Sequence, residues 1–269
     1  MHPVLFQIGG LIIGTHNAFM ALGVACAAVV FYIECRRRRE LSEQMLWIVA
    51  GTLIAGAIGA KLTAILGNIG APRQPPLGAL VLHGGRSILG GLTGGYIGAE
   101  LTKRMVHYSR STGDLFAPAA ALGMAVGRWG CFFSELPGTP TSLPWGIRLT
   151  PLEVARTPNC PAYCATSALH PSFIYEIIFQ TAMFVLIWTK LRWMPSLRGE
   201  LMKLYLLCYA VFRFFVEFVR GNEVLWRGLT RHQLFLAPVI LVLAVYFIRR
   251  SVREPTVDLS DVHLAEEST

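Results

Sequence analysis

Four basic residues, Lys61, Arg86, Arg128 and Arg213, fall inside stretches apolar enough to be buried in a bilayer. A cation at that depth costs at least a few kcal/mol unless it is paired or meets an anion. Arg213, Glu217 and Arg220 recur at i, i+4 and i+7, which puts them on one helix face beside Phe214, Phe215 and Phe218. The stripe can be an internal ion pair that holds helices together, or it can be Arg213 steadied by Glu217 and offered to an anion. A second guanidinium sits in Gly127-Arg128-Trp129-Gly130-Cys131, where the flanking glycines leave it accessible. Two arginines at similar depth exceed what packing requires. Their planar forks suit bidentate contact with phosphate, which at the outer headgroup level is first of all that of a phospholipid.

Proton-handling candidates are fewer. His170, in His170-Pro171-Ser172-Phe173-Ile174-Tyr175-Glu176, lies at the outer interface just before a helix that Pro171 can open. It can serve as a general base or simply mark a helix start. His83 is a second candidate near the outer end of another helix, and His16 lies inside the first apolar stretch. Cys26, Cys35, Cys131 and Cys208 fall in or beside apolar stretches and read as packing residues. Cys160 and Cys164 share a long Pro-rich loop, where a disulfide is plausible on an oxidising side. No Cys or His partners lie near that pair at metal-ligand spacing.

The elements that must position these groups are membrane spans. Of 269 residues 54% are hydrophobic and 15% charged, with mean hydropathy +0.51, against about a quarter charged in soluble domains. Stretches of roughly 20 apolar residues occur at 11–33, 46–68, 80–101, 115–133, 171–190, 201–219 and 232–248. An all-α polytopic membrane protein with about seven transmembrane helices is therefore expected. The first stretch is too long for a signal-peptide core and is expected to be retained.

The net charge of +8 follows topology rather than nucleic-acid binding. Alternate loops gather Arg36, Arg37, Arg38 and Arg39, then Lys103, Arg104 and Arg110, then Lys190, Arg192, Arg198 and Lys203, then Arg249, Arg250 and Arg253. The opposite side holds only Arg73, Arg148, Arg156, Arg220, Arg227 and Arg231. The asymmetry places the N-terminus outside and the C-terminus in the cytoplasm. Residues 1–253 then form one transmembrane domain with an outside loop at 134–170, and 254–269 form a short acidic cytoplasmic tail. Glycines cluster in the third span, Gly84, Gly85, Gly90, Gly91, Gly94, Gly95 and Gly98, either for close helix packing or for a bent helix lining a polar cavity.

In these residues the chain resembles the bacterial prolipoprotein diacylglyceryl transferases over nearly its whole length. The matches are Pro3-Val4-Leu5-Phe6-Gln7-Ile8-Gly9, Gly90-Gly91-Leu92, Asp114, Gly127-Arg128-x-Gly130-x-Phe132 and His170-Pro171-Ser172-x-x-Tyr175-Glu176. They continue with Phe212-Arg213-Phe214-x-x-Glu217-Phe218-x-Arg220 and Gly228-Leu229-Thr230-x-x-Gln233. The resemblance implies a multi-pass protein of the bacterial inner membrane that moves diacylglycerol from phosphatidylglycerol to the lipobox cysteine thiol of preprolipoproteins. Its partners would be those signal peptides and membrane lipids, with no nucleic acid, cofactor or metal.

The resemblance makes Arg128, Arg213, Glu217, His170 and His83 the expected catalytic set, with Arg86, Ser134, Glu135, Tyr175, Arg220, Gln233 and Asn17 on the substrate. The chain also departs from the family. Cys131 and Ser134 replace asparagines, Glu135 comes one residue early, Leu89 stands where a histidine precedes the Gly-Gly pair, and a tyrosine of the first span aligns with Asn17. Arg86 can still lend a positive field that favours a thiolate. These departures keep a second reading open: a divergent paralogue acting on another lipid or acceptor, or a non-catalytic phospholipid-binding membrane protein.

Overall fold

The computed structural model describes residues 4–9, 11–68, 78, 87–157 and 160–253. The chain divides into two compact units, residues 1–32 with 112–269, and residues 33–111.

The first unit opens with an antiparallel ribbon, β1 (Val4–Ile8) with β2 (Leu11–Gly14), turned at Gly9 with φ of +59°. Helix α1 (Thr15–Arg38) follows and runs on into the second unit. Beyond residue 112 come α4 (Gly113–Ser134), α7 (Ser172–Thr189), α8 (Leu201–Val216) and α9 (Arg231–Arg253). The centre is built from Ala117 and Ala121 of α4, Met183 and Ile187 of α7, and Leu201 and Tyr205 of α8. Alanines on α4 let the larger side chains approach, and the buried Asp114 accepts the Gly199 and Leu201 amides at 2.8 and 3.1 Å. That carboxylate satisfies donors at the start of α8 that the helix cannot satisfy itself.

α1 and α4 pack backbone to backbone. A Cβ on Gly23 would lie 2.6 Å from the Gly123 carbonyl, and one on Gly130 would lie 3.0 Å from the His16 carbonyl. This small-residue seam sets the start of α1 against the end of α4.

The segment between α4 and α7 holds α5 (Pro151–Arg156), α6 (Tyr163–Thr166) and a ribbon of β3 (Pro140–Thr141) with β4 (Ala168–Leu169). Thr150 and Glu153 form a reciprocal capping box at the start of α5, and Cys160 and Cys164 are disulfide-linked. After α8 the chain tightens into a 3-10 turn, Glu217–Val219, and then a third ribbon, β5 (Val224–Trp226) with β6 (Leu229–Thr230). The chain is mostly helical as expected, and among the described residues three short ribbons are added to it, one before α1 and two between helices.

The second unit pairs α2 (Glu43–Asn68) with α3 (Ile88–Met105). Gly90, Gly94 and Gly98 are spaced four apart, and a Cβ on each would come within 2.6 Å of backbone or side-chain atoms of α2. Of the two readings of this glycine cluster, close helix packing accounts for these three positions. The loops at the other end are tied by Glu40, which accepts from Tyr108 at 2.6 Å and Arg110 at 2.8 Å. The Tyr108 hydrogen bond, then Arg110, holds the Glu40 carboxyl below the usual carboxylate range.

Among the described residues, five helical segments are long and apolar enough to cross a membrane: Thr15–Arg38, Glu43–Leu66, Gly113–Ser134, Ser172–Trp193 and Arg231–Val252. The expected spans at 80–101 and 201–219 correspond to α3 and α8, of 18 and 16 residues, which are outside that set. Glu100, Lys103 and Arg104 lower the hydropathy of α3. At 1.5 Å per residue α8 covers roughly 24 Å of a ~30 Å hydrocarbon core before its 3-10 turn.

Candidate functional site

Three helix ends bring three arginines around one carboxylate. Glu176, in the second turn of α7, is fully buried, and Arg128 and Arg213 are 4% and 5% exposed. Arg128, from the end of α4, pairs with Glu176 Oε2 through Nη2. Arg220 donates from Nη1 to Glu176 Oε1 at 2.9 Å, and its guanidinium lies 4.5 Å from the Phe173 ring centre. Its Nη2 also faces Glu135 Oε2 at 3.6 Å. Arg213, in the last turn of α8, contacts Glu217 Oε2 at 2.7 Å, with its Nη1 3.8 Å from Glu176 Oε1.

Glu217 is itself anchored. Its Oε1 accepts from Asn222 at 2.6 Å and Thr230 at 2.9 Å, and His232 Nδ1 lies 3.0 Å away. Gln233 closes this corner, taking the Thr230 amide on Oε1 and donating from Nε2 to the Phe214 carbonyl. The expected helical stripe is therefore modified at its end. Arg213 and Glu217 pair at i, i+4, while Arg220 comes after the 3-10 turn and reaches Glu176 on another helix.

The charges balance formally, with Arg128, Arg213 and Arg220 against Glu135, Glu176 and Glu217. Hydrogen-bonding capacity does not. Arg128 Nε and Arg213 Nη1 are buried without a hydrogen-bond partner among the described residues, as are the oxygens Glu176 Oε2, Glu217 Oε2 and Tyr209 Oη. Buried guanidinium donors left this way favour an acceptor with several oxygens, which a phosphate provides.

His170 and Tyr175 meet at 3.2 Å, Nδ1 to Oη, and Trp145 donates to the same hydroxyl at 2.9 Å. The His170 backbone is held in register, its amide donating to the Thr139 carbonyl and its carbonyl accepting from Gly138. Gly138 is there because nothing larger fits, since a Cβ would sit 2.0 Å from the Val219 carbonyl. Gly138→Ala is expected to lower stability by about 1–3 kcal/mol through overpacking. Thermal unfolding in detergent checks this, and an unchanged midpoint would contradict it.

The other expected site residues are placed as follows. His83 and Arg86 lie outside the described residues. Ser134 donates its hydroxyl back to the Gly130 carbonyl of its own helix. Gln233 is committed to the hydrogen bonds just described. Asn17 is exposed; its neighbour His16 faces α4, with Nδ1 3.8 Å from Cys131 Sγ and 3.7 Å from Glu135 Oε1. Glu176, the hub, was absent from the expected set although its motif was noticed. Applying the buried-cation test to anions as well would have found it, since it is a lone carboxylate in the 171–190 span.

A family model described as prolipoprotein diacylglyceryl transferase matches residues 3–249. The chain is similar to the phosphatidylglycerol--prolipoprotein diacylglyceryl transferase of Thermotoga maritima, 29% identical over 264 residues, covering 93% of this chain and 86% of that one. The protein of the same name from Gloeobacter violaceus is 30% identical over 262 residues, covering 94% and 95%. That from Trichormus variabilis is 32% identical over 240 residues, covering 83% and 80%.

Proposed function

We propose, for a chain that belongs to the prolipoprotein diacylglyceryl transferase family, that it transfers the diacylglyceryl group of phosphatidylglycerol to the lipobox cysteine thiol of preprolipoproteins. The observation that carries this reading is the pair of buried guanidinium donors, Arg128 Nε and Arg213 Nη1, without hydrogen-bond partners among the described residues. They are set for the lipid phosphate. The acceptor sulfur attacks the terminal glycerol carbon of the diacylglyceryl group, the S–C bond forms as the C–O bond to phosphate breaks, and the electron pair stays on the phosphate oxygen of departing glycerol phosphate. Arg128 and Arg213 stabilise that added charge from fixed positions in a site of low dielectric. Glu176 and Glu217 orient the two forks. His170, steadied by Tyr175, is the candidate to take the thiol proton, with His83 the alternative.

The proposed setting is the bacterial inner membrane. The seven long helices, α1 to α4 and α7 to α9, span it, α3 and α8 tilted or completed by their flanking turns, with the N-terminus outside and the C-terminus in the cytoplasm. The Cys160–Cys164 disulfide supports placing the 134–170 loop on the oxidising side. Residues 1–253 act as one transmembrane domain, followed by a short acidic cytoplasmic tail at 254–269.

Mass spectrometry of a lipobox peptide incubated with phosphatidylglycerol and the purified protein tests the proposal. A thioether-linked diacylglyceryl adduct is expected with wild type and is expected to be lost in Arg128→Ala and Arg213→Ala. No adduct from wild type, under conditions where the Thermotoga maritima relative forms one, would refute it.

A further inference from the structure

One cluster adjoins the phosphate site through Glu135, which faces Arg220, and Cys131, which faces Arg128. At the seam of α1 and α4, His16 Nδ1, Cys131 Sγ and a Glu135 carboxylate oxygen all lie within 4.8 Å of one another. The His16–Glu135 separation of 3.7 Å is too long for a hydrogen bond, which prefers ~2.7–3.2 Å. His16–Cys131 is 3.8 Å. Bonds of ~2.3 Å to sulfur and ~2.0–2.2 Å to nitrogen and oxygen, arranged tetrahedrally, put such donors ~3.4–3.6 Å apart. The two separations from His16 therefore stand close to the spacing of a zinc ligand set, with Cys131 and Glu135 within 4.8 Å of each other, while one imidazole nitrogen cannot donate to both neighbours at once. Cys131 forms the buried floor, and the His16 and Glu135 side chains are about two-fifths accessible, so a fourth position faces outward. The glycine seam that brings His16 to Cys131 also fixes their distance.

We propose that His16, Cys131 and Glu135 bind a zinc ion whose fourth position takes the acceptor thiol. This rests on the transferase reading for the identity of the acceptor, but not for the binding of the metal. Three protein ligands with one open position is the arrangement of catalytic rather than structural zinc. A thiol coordinated to zinc is deprotonated outright, whereas a free one, with pKa near 8.5, is mostly protonated at neutral pH. Coordination releases the thiol proton, which passes to His170 or directly to water. The bound thiolate then forms the S–C bond while the C–O bond to phosphate breaks and glycerol phosphate leaves with the electron pair. Arg128 Nη1 lies 3.8 Å from Cys131 Sγ, so the metal and the phosphate clamp adjoin.

Cobalt is the probe. Full-length protein, stripped with chelator and titrated with Co²⁺ alone, is expected to show a near-ultraviolet thiolate-to-cobalt band and tetrahedral visible bands, saturating at one equivalent and displaced by Zn²⁺. Cys131→Ser is expected to abolish the near-ultraviolet band, and His16→Ala to weaken binding at least tenfold. Cys26, Cys35 and Cys208 remain in both variants as internal controls. Adding a lipobox peptide is expected to raise the thiolate band, and the same peptide with its cysteine changed to serine is not. Absence of the band in wild type, or its persistence in Cys131→Ser, would overturn the site whatever the transfer assay gives. A band unaffected by the peptide thiol would overturn the role given to the fourth position. Full transfer by chelated, metal-free protein would overturn the inference and leave the transferase reading intact. A Cys131-dependent band in a protein that transfers nothing would uphold the metal site and count against the transferase reading.

Discussion

Glu176→Ala is expected to destabilise the protein by about 3–5 kcal/mol, the range for removing one partner of a buried ion pair. The loss should reach the upper part of that range, because three guanidinium groups depend on this carboxylate: Arg128 directly, Arg220 at 2.9 Å and Arg213 at 3.8 Å. Without it, Arg128 has no other carboxylate contact among the described residues, and Arg213 keeps only Glu217. Glu176→Gln keeps the shape and loses the charge, so it should fall between wild type and alanine. Thermal unfolding in detergent measures both variants. Combining Glu176→Gln with Arg128→Gln should recover part of the loss, since the pair is then removed together rather than left half-made. Added phosphatidylglycerol should raise the unfolding temperature more in Glu176→Ala than in wild type, because a phosphate can supply the missing anion and ligand binding to the folded state stabilises it. If Glu176→Ala unfolds where wild type does, the three arginines are not held by this hub.

The positions of the helices were legible in the sequence because apolar runs of about twenty residues are a strong signal. Where the signal failed, the cause is local. The three ribbons are too short to show a period of two. The end of α8 is misread because Phe212–Arg220 keeps a helical pattern in side-chain type while the backbone tightens into a 3-10 turn at Glu217. Arg128 and Arg213 stood out because a cation in an apolar run needs a reason. Glu176 needed one equally, but it entered only as the last letter of a motif. The partners of Glu217, which are Asn222, Thr230 and His232, come from the turn and ribbon after α8 and from the first turn of α9, where only the folded chain brings them back to the helix end. The His16–Cys131 contact was hidden for a similar reason. It depends on the register of two helices 115 residues apart in sequence, set by glycines at Gly23, Gly123 and Gly130.

Arg128→Lys and Arg213→Lys are expected to lower kcat about 10²–10³-fold, comparable to deleting a preorganised donor at a charge-developing oxygen, while stability changes little. The charge is conserved in both variants, so a site needing only a cation at bilayer depth would tolerate them. The geometry is not conserved. Arg213 uses Nη2 for Glu217 and leaves Nη1 for an incoming acceptor; Arg128 uses Nη2 for Glu176 and leaves Nε. A lysine has one nitrogen and cannot be held by a carboxylate on one edge while presenting another edge to phosphate. In lysine variants the ammonium should collapse onto Glu217 or Glu176, and the phosphate loses its donor. Steady-state transfer to a lipobox peptide separates the two roles of the arginines. A fall in kcat with KM for phosphatidylglycerol nearly constant means the donors act on charge that develops as the C–O bond breaks. A rise in KM with kcat intact means they bind the lipid equally in ground and transition states. Arg220→Lys supplies the comparison, since Arg220 spends its contacts on Glu176, Glu135 and the Phe173 ring. Its loss should fall on stability rather than on kcat; an equal loss of kcat in all three would mean that the free donors of Arg128 and Arg213 have no special role, and no loss in any would mean that the site responds to charge alone.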